Sequence, residues 1–504
     1  MTRTIQLKKQ NYFWLFVVVI SSGLIAFGIL TNGHDWGDDF ASYIMQARSI
    51  SEWNMQDFIK HNSFTIQNSD FPIGPIAYPW GYPLLLAPIY KFSGMSLYGF
   101  KMLNIGMYLS FLICLYFLLS KNRLSSLESL LLTALFAFNP EILRFQDNIL
   151  SDTSFLFFST LSLLLIDRFV VDKDGPTIGQ ASGIGLAVFA AYFVRSNGLV
   201  LLVSLLLWQV IQFRKNRKGH TNKGISRNLI TVYLTFAVFW FCCSLLFPNG
   251  QGSYLSQYSL LDLAGLKKSI IYYLQVWGTF FSSIPAANFL SKIFIAFFLI
   301  GLVSSPWRDP FLKLYFVLTL TVFVLYPLPQ GLRYLFPILP IFIYQAYIGV
   351  TWTASKIAKD RTTARWLAGS FWIGVVLVFL WTSIGLGITN LRGNRQRGGP
   401  FDRESLEMYR FVKEKTPKSS VILFFKPRLL RMMTDRDSVM VNQCAKLKLG
   451  DYIVLDLSGD AAPGEYAEQL ALPDLESCNI PLKLVFRSPN FSTFEIQKSR
   501  SSTH

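Results

Sequence analysis

Along the first 390 residues, long uncharged apolar runs alternate with short polar loops, most of them basic. A run of about 20 residues matches the roughly 30 Å hydrocarbon core of a bilayer. The pattern predicts helices near 11–31, 98–119, 127–140, 153–170, 179–194, 198–213, 228–247, 286–304, 312–328, 334–353 and 366–389, about 11 spans, of which the third and fifth are short. Arg3, Lys8 and Lys9 precede the first run and no small-residue cleavage site follows it, so it reads as a span rather than a cleaved signal. After Asn390 the pattern changes. RGNRQRGG (392–399) reads as a linker, and Glu404–Lys415 has helical spacing, with Leu406, Tyr409, Phe411 and Val412 on one face. SSVILFF and DYIVLDL read as strands with a helical KPRLLRMMT between them, and LKLVFRS with FSTFEIQK reads as a closing hairpin. The expected fold is a polytopic α-helical membrane protein, residues 1–390, with a first external loop at 32–97, followed by a small α/β domain at 391–504.

Composition agrees with this pattern. Of 504 residues, 52% are hydrophobic and only 15% charged, against about 25% charged in soluble domains. The net charge of +17 lies in loops rather than on a patch, which speaks against nucleic acid as a partner. Loop 214–227 carries Arg214, Lys215, Arg217, Lys218, Lys223 and Arg227 and no acid; loops 120–126 and 356–365 are also basic. With the N-terminus inside, all three fall on the cytoplasmic side, and an odd number of spans puts the C-terminal domain outside. The first loop holds Asp35, Asp38, Asp39, Glu52, Asp57 and Asp70 and lies outside as well. Cys444 and Cys478 fall in the outer domain, where a disulfide is permitted.

The candidate chemistry gathers at the outer loops. Asp38 and Asp39 follow the first span where a helix begins; they serve either as an N-cap with a favourable dipole position, or as a general base with a neighbour that tunes it. Asp152, at the mouth of the fourth span, has the same two readings. Arg195 in FVRSNG, and Arg333 with Tyr334 in QGLRYLFPILP, are outer-side bases that either anchor helices to headgroups or bind an anionic phosphate. Lys267 and Lys268 are further candidates for the phosphate. The run PIAYPWGYPLLLAPIYKFSG offers Tyr78, Trp80 and Tyr82, either as a membrane-interface belt or as walls that stack on a sugar. Acids and arginines on one face suit the removal of a sugar from a phosphate-linked lipid. The chain has no GxxxxGK[ST] motif and no strand–GxGxxG–helix unit, so the donor is expected to be lipid-borne rather than a nucleotide sugar.

The sequence resembles the GT-C-fold glycosyltransferases, especially bacterial relatives of protein O-mannosyltransferases and of the lipid A aminoarabinose transferase. The resemblance spans the chain and rests on GDDFASYIMQAR, YPWGYPLLLAPIYKFSG, LSDTSFLFF, FVRSNGLVLL, GLRYLFPILP and the tail YRFVKEKTPKSSVILFFKPRLL with DYIVLDL. It implies a polyprenyl-phosphate sugar donor, a lipid, glycan or protein acceptor, inverting transfer, surface helices in the first loop, and a location in the bacterial inner membrane with the site on the outer face. No cofactor is called for, and a divalent cation is left open. The family commonly has Asp-Glu where this chain has Asp38-Asp39. The family's Tyr four residues after the catalytic Asp matches Tyr43 and favours Asp39, whereas the position of the acid pair favours Asp38. A flippase of lipid-linked sugars and a polymerase like O-antigen ligase are the competing readings. A flippase should show two-fold repeats and midplane charges. A ligase should show a long outer loop with Arg and His, and 248–285 has neither.

Overall fold

The computed structural model describes all residues except 1, 71–72, 121–122, 172–174, 218–227, 251–261, 285–286, 328–329, 359, 458–476 and 498–504. Lys121, Lys218, Lys223, Arg227 and Lys359, which entered the orientation argument, therefore lie outside the described residues. The chain runs α1 (Thr2–Ile29), α2 (Asp39–Ser51), α3 (Met55–Asn68), α4 (Gly81–Ser93), α5 (Leu97–Ser120), α6 (Ser126–Ala137), α7 (Pro140–Phe145), α8 (Asp152–Ile166) and α9 (Ile178–Val194). It continues through α10 (Leu199–Arg217), α11 (Leu229–Leu246), α12 (Leu263–Val276), α13 (Ala287–Ser304), α14 (Pro310–Leu325), α15 (Leu339–Ile357) and α16 (Arg361–Arg392). Every predicted span has a helix at its position. Six described segments are long and apolar enough to cross a membrane, and four shorter apolar helices accompany them. Leu24, Ile230, Leu246 and Trp381 are exposed on these helices, as apolar side chains facing lipid should be. The chain is a multi-pass membrane protein.

Local chemistry sets the ends of the elements. Capping boxes start α6 (Ser125 with Glu128) and α9 (Thr177 with Gln180). The predicted 127–140 helix stops at Ala137 because Asn139 caps a new helix whose first residue is Pro140. The span expected from 334 begins at Leu339, after a 3₁₀ turn at Gly331–Leu335. The first loop folds into α2, α3 and α4, and α12 is a short helix that the span pattern did not predict.

The two ends of α8 sit in different polar settings. Asp152, at its start, meets Arg195. Asp167, in the π-helical turn that prolongs α8, meets Arg123 through two hydrogen bonds of 2.8 and 2.5 Å. The residues between them rise roughly 22 Å at 1.5 Å each. Arg123 also holds Asp309 at 2.8 Å, and Lys215 lies over the Trp307 ring at 5.2 Å. The described parts of the basic loops at 120–126 and 214–217 are thus gathered at the end of the bundle away from Asp152.

The tail forms α17 (Arg403–Lys415), β1 (Val421–Leu423), α18 (Pro427–Thr434), β2 (Asp437–Val439), β3 (Tyr452–Asp456), β4 (Leu482–Arg487) and β5 (Phe491–Ile496). Its sheet has the order β2-β1-β3-β5-β4, with β2, β1 and β3 parallel and β5 and β4 forming the antiparallel hairpin. The short strand β2 was not foreseen. Cys444 and Cys478 are disulfide-bonded, with Cα atoms 5.4 Å apart. The 392–399 segment is more than a linker. Arg395 O accepts from Asn32 N–H at 2.8 Å, and Arg397 bonds Asp35 and Asp147, so it ties the tail to the first loop.

Helices α13 and α15 approach closely because Gly301 and Gly349 face each other's backbones; a Cβ on Gly349 would collide with the Phe297 carbonyl. Gly369, in contrast, has open space around its Cα. Gly349→Ala is expected to lower the thermal midpoint in detergent by an amount corresponding to about 1–3 kcal/mol. Gly369→Ala should leave it unchanged or raise it slightly. Equal midpoints for the two variants would contradict this packing.

Candidate active site

A cavity of about 640 Å³ opens where the first loop, the turn before α8, the α9–α10 turn, the α14–α15 connection and the tail converge. The sequence brings the acids here by ending α1 at Ile29 and starting α2 at Asp39. Asp38 occupies the cap position of α2 but makes no side-chain capping bond. Its Oδ1 instead accepts the Leu429 N–H of α18 at 3.4 Å. Asp39 faces the cavity: the Tyr78 hydroxyl donates to its Oδ1 at 2.5 Å, and Arg333 Nη2 lies 3.7 Å from its Oδ2. The two adjacent acids therefore have separate partners. Desolvation pushes the Asp38 carboxyl up to about 6, against the opposing pull of Lys426 and Arg428.

Asp152 is 3% exposed, and its Oδ1 is bound by Arg195 Nη1 at 2.5 Å. Its Oδ2 is buried and has no hydrogen-bond partner among the described residues. Ser151 pairs with the Tyr43 hydroxyl at 2.9 Å, which fixes α2 against the turn before α8. The Tyr334 ring lies between the cations, 5.3 Å from the Arg195 guanidinium and 5.9 Å from that of Arg333. Arg333 is also held by the Gln330 side chain. Asp152 is the first residue of α8; the cap position belongs to Ser151, which makes no side-chain cap bond.

Of the residues singled out in the sequence, Asp38, Asp39, Tyr43, Tyr78, Asp152, Arg195, Arg333 and Tyr334 line this one cavity. Four others do not. Tyr82 is fully buried and donates to Asn104 Oδ1 at 2.9 Å. Trp80 donates to Pro248 O at 2.9 Å and stacks on Phe247. Both pack the base of the first loop, because Pro79 and Gly81 turn the chain into α4 there. Lys267 and Lys268 are exposed on α12, away from the cavity lining.

Sequence reasoning missed His34, Trp36, Phe425 and Lys426, all of which line the cavity. His34 is stacked on Phe40 and accepts the Ile149 N–H at Nε2, 3.0 Å away, while Nδ1 donates to Asp35 O at 2.9 Å. Burial, and then the nearby Lys101 and Arg397, lower its pKa to about 4, so it serves as a neutral spacer. Phe425 and Lys426 come from the tail, which no local pattern links to the first loop. Among the described residues no three His, Cys, Asp or Glu side chains gather as metal ligands would. The His34 Nε2 and Asp152 Oδ1 lone pairs are already engaged.

Two outcomes follow from this electrostatic layout. Arg195→Ala strands the buried Asp152 and should destabilise the fold by about 3–5 kcal/mol, whereas Arg333→Ala, whose partner Asp39 keeps 34% of its side chain exposed, should cost far less; thermal scans of both variants would decide. Asp38 has a raised folded-state pKa, so folding takes up a proton between its ordinary 3.8 and about 6. Its contribution to stability is greatest at low pH and is lost as pH rises through about 6. Asp38→Asn should remove this part of the pH dependence, and an unchanged profile of melting against pH would contradict the assignment.

No protein-family model matches the sequence, and no curated protein matches it either. Solved structures do match its fold. ArnT from Cupriavidus metallidurans bound to undecaprenyl phosphate superposes with a TM-score of 0.55 at 11% identity, over 95% of this chain and 97% of that one. The archaeal oligosaccharyltransferase AglB from Archaeoglobus fulgidus, in complex with an inhibitory peptide and a dolichol-phosphate, gives 0.56 at 10% identity over 88% and 69%. The apo form of the Archaeoglobus fulgidus oligosaccharyltransferase gives 0.56 at 13% identity over 97% and 75%. The chain thus has the GT-C membrane fold of these transferases, with a small sheet-containing domain at its C-terminal end.

Proposed function

We propose that this protein is a glycosyltransferase that moves a sugar from a polyprenyl-phosphate donor to an acceptor hydroxyl, with inversion at the anomeric carbon and Asp39 as general base. The observation that carries the reading is the Asp39 carboxylate, which faces a cavity of about 640 Å³ at one end of a GT-C helix bundle, flanked by Tyr78, Arg333 and the Arg195–Asp152 pair. The undecaprenyl phosphate and dolichol-phosphate bound to ArnT and AglB support a lipid-borne donor. In the proposed step the acceptor oxygen attacks the anomeric carbon, the C–O bond to phosphate breaks, and Asp39 takes the acceptor's proton. A single displacement places the entering and leaving groups on opposite faces of the sugar, hence inversion. Arg333, and Arg195 through its remaining N–H groups, stabilise the charge that develops on the phosphate. Asp152 acts by positioning, since it is 3% exposed and bound to Arg195. Asp38 holds the tail rather than the acceptor.

The described parts of the basic loops at 120–126 and 214–217 lie at the end of the bundle away from Asp152, so the positive-inside tendency supports a cavity and tail, residues 391–504, on the extracytoplasmic side of a bacterial inner membrane. Substituted-cysteine labelling should then find 32–97 and 400–504 reachable from outside and 214–227 from inside; labelling of the tail from the cytoplasm alone would reverse the assignment. In transfer assays with a purified polyprenyl-phosphate sugar, Asp39→Asn should lose about 10²-fold or more in turnover, and Asp38→Asn should lose less. Wild-type turnover by a folded Asp39→Asn protein would remove the base. Recovery of a product with the donor's own anomeric configuration would remove inversion.

A further inference from the structure

The end of the bundle away from the cavity has a polar corner of its own. Helices α10 and α14 pack together there, with the Trp208 and Phe311 ring centroids 6.2 Å apart. Two turns further on, Lys215 in the last turn of α10 reaches the loop before α14 and places its ammonium 5.2 Å from the centre of the Trp307 ring. Trp307 is 80% exposed. Arg308, the next residue, is fixed from behind: its Nη2 donates to Arg123 O, and its guanidinium lies 5.9 Å from the Tyr344 ring. Its side chain still keeps 41% of its surface exposed. The acids nearby are already engaged. Asp167 and Asp309 both hold Arg123, and Asp309 also accepts the Tyr344 hydroxyl. Among the described residues Lys215 has no carboxylate partner, and Arg308 has only Asp309, at 3.8 Å. An exposed indole thus shares a corner with two cations whose charge the protein does not balance.

The surface next to this corner is apolar. Ile211 and Leu207 lie one and two turns back along α10, on the face that carries Lys215, and both are exposed. At a rise of 1.5 Å per residue, Ile211 is about 6 Å deeper in the bundle than Lys215. Val303, near the end of α13, is 79% exposed. A ligand that satisfies both parts has an anionic head and an apolar body. A soluble anion would leave Leu207, Ile211 and Val303 uncovered. A zwitterionic headgroup would bring a cation of its own to two others. An anionic phospholipid fits, with its phosphate accepting from the ammonium and the guanidinium and the indole at the depth that Trp favours in a bilayer. Arg214 carries the same charge as Lys215 but points about 100° away around α10. Helix α14 starts beside this corner at Pro310, and the residues near its far end, Val322 and Phe323, line the cavity.

We propose that this corner binds an anionic phospholipid, whose headgroup phosphate is held by Lys215 and Arg308 beside Trp307 and whose chains lie against Ile211, Leu207 and Val303. The site is independent of the glycosyltransferase reading. Native mass spectrometry tests it, on the detergent-solubilised full chain titrated with dioleoyl phosphatidylglycerol and, separately, with dioleoyl phosphatidylcholine. Wild type is expected to hold its first phosphatidylglycerol about fivefold or more tighter than phosphatidylcholine, the scale of one cation near an anionic headgroup. Lys215→Gln should lose most of this preference, and Lys215→Arg should keep it. Arg214→Gln, the same charge change one residue away, should leave it intact. Lys215 holds no described carboxylate, so its loss strands no buried charge. A thermal scan gives a second readout: phosphatidylglycerol should raise the midpoint of wild type more than that of Lys215→Gln. sn-Glycerol 3-phosphate at the same concentration should neither stay bound nor raise the midpoint; if it does both, the corner takes a soluble anion and the lipid assignment is wrong. Equal binding of the two lipids by wild type, or a preference that survives Lys215→Gln, overturns the site. Equal losses in Arg214→Gln and Lys215→Gln overturn it too, because they would show a diffuse basic field rather than a built corner.

Discussion

One buried carboxylate, that of Asp147, holds the site's parts in register. It accepts from Thr31 N–H at 2.8 Å, the Thr31 hydroxyl at 2.6 Å, Lys101 Nζ at 2.6 Å and Arg397 Nη1 at 2.5 Å. These donors come from the end of α1, from α5 and from the segment that joins α16 to the tail. Asp147 itself lies in the turn that carries Ser151 and Asp152. A charge this deeply buried is tolerated only when its lone pairs are taken up, and here the donors arrive from three different stretches of chain. The position of Asp39 relative to Asp152, and of the tail relative to both, rests on this node. Lys101 also donates to Thr31 O at 2.9 Å and to Gly33 O, so the same group fixes the backbone that leads to the acids.

The charges of the bundle are sorted along its axis. At one end, carboxylates and guanidiniums surround a cavity, and some keep partial exposure. At the other, Arg123, Asp167, Asp309 and the Tyr344 hydroxyl close on one another, the last at 2.6 Å from Asp309. Between them the lining is apolar and aromatic. Phe281, Phe294 and Phe379 pack there, as do Trp277 and Phe342, whose rings stack 4.1 Å apart. A bundle held by two polar clusters and an apolar middle has little tolerance for charge at mid-depth.

Much of this was legible in the sequence, for physical reasons that can be named. The longer spans announced themselves because about twenty apolar residues in a row have few other uses. The hairpin of β4 and β5 and the helix at Arg403–Lys415 followed from local periodicity. Asp39, Arg195 and Arg333 stood out because charges at the ends of apolar runs need partners. The partners themselves did not show. Nothing local ties Asp38 to Leu429, 391 positions away, or Asp147 to Arg397, 250 away. Trp80 and Tyr82 resembled sugar-stacking aromatics because composition cannot tell a ring that lines a cavity from one that packs beneath it. β2, three residues long, is held by pairing with β1 rather than by its own pattern.

The contribution of Phe425, Lys426 and Met440 to the cavity wall bears on the order in which the protein becomes competent. A chain is made from its N-terminus, so the helical bundle is complete before the residues that finish the wall exist. A nascent protein with all its helices in place would still have a site open on one side, with Asp38 lacking the backbone amide that engages it. The wall is therefore closed only once residues 425–440 have been made and docked. A chain truncated before Phe425 would keep the helical bundle but lack the residues that finish the wall.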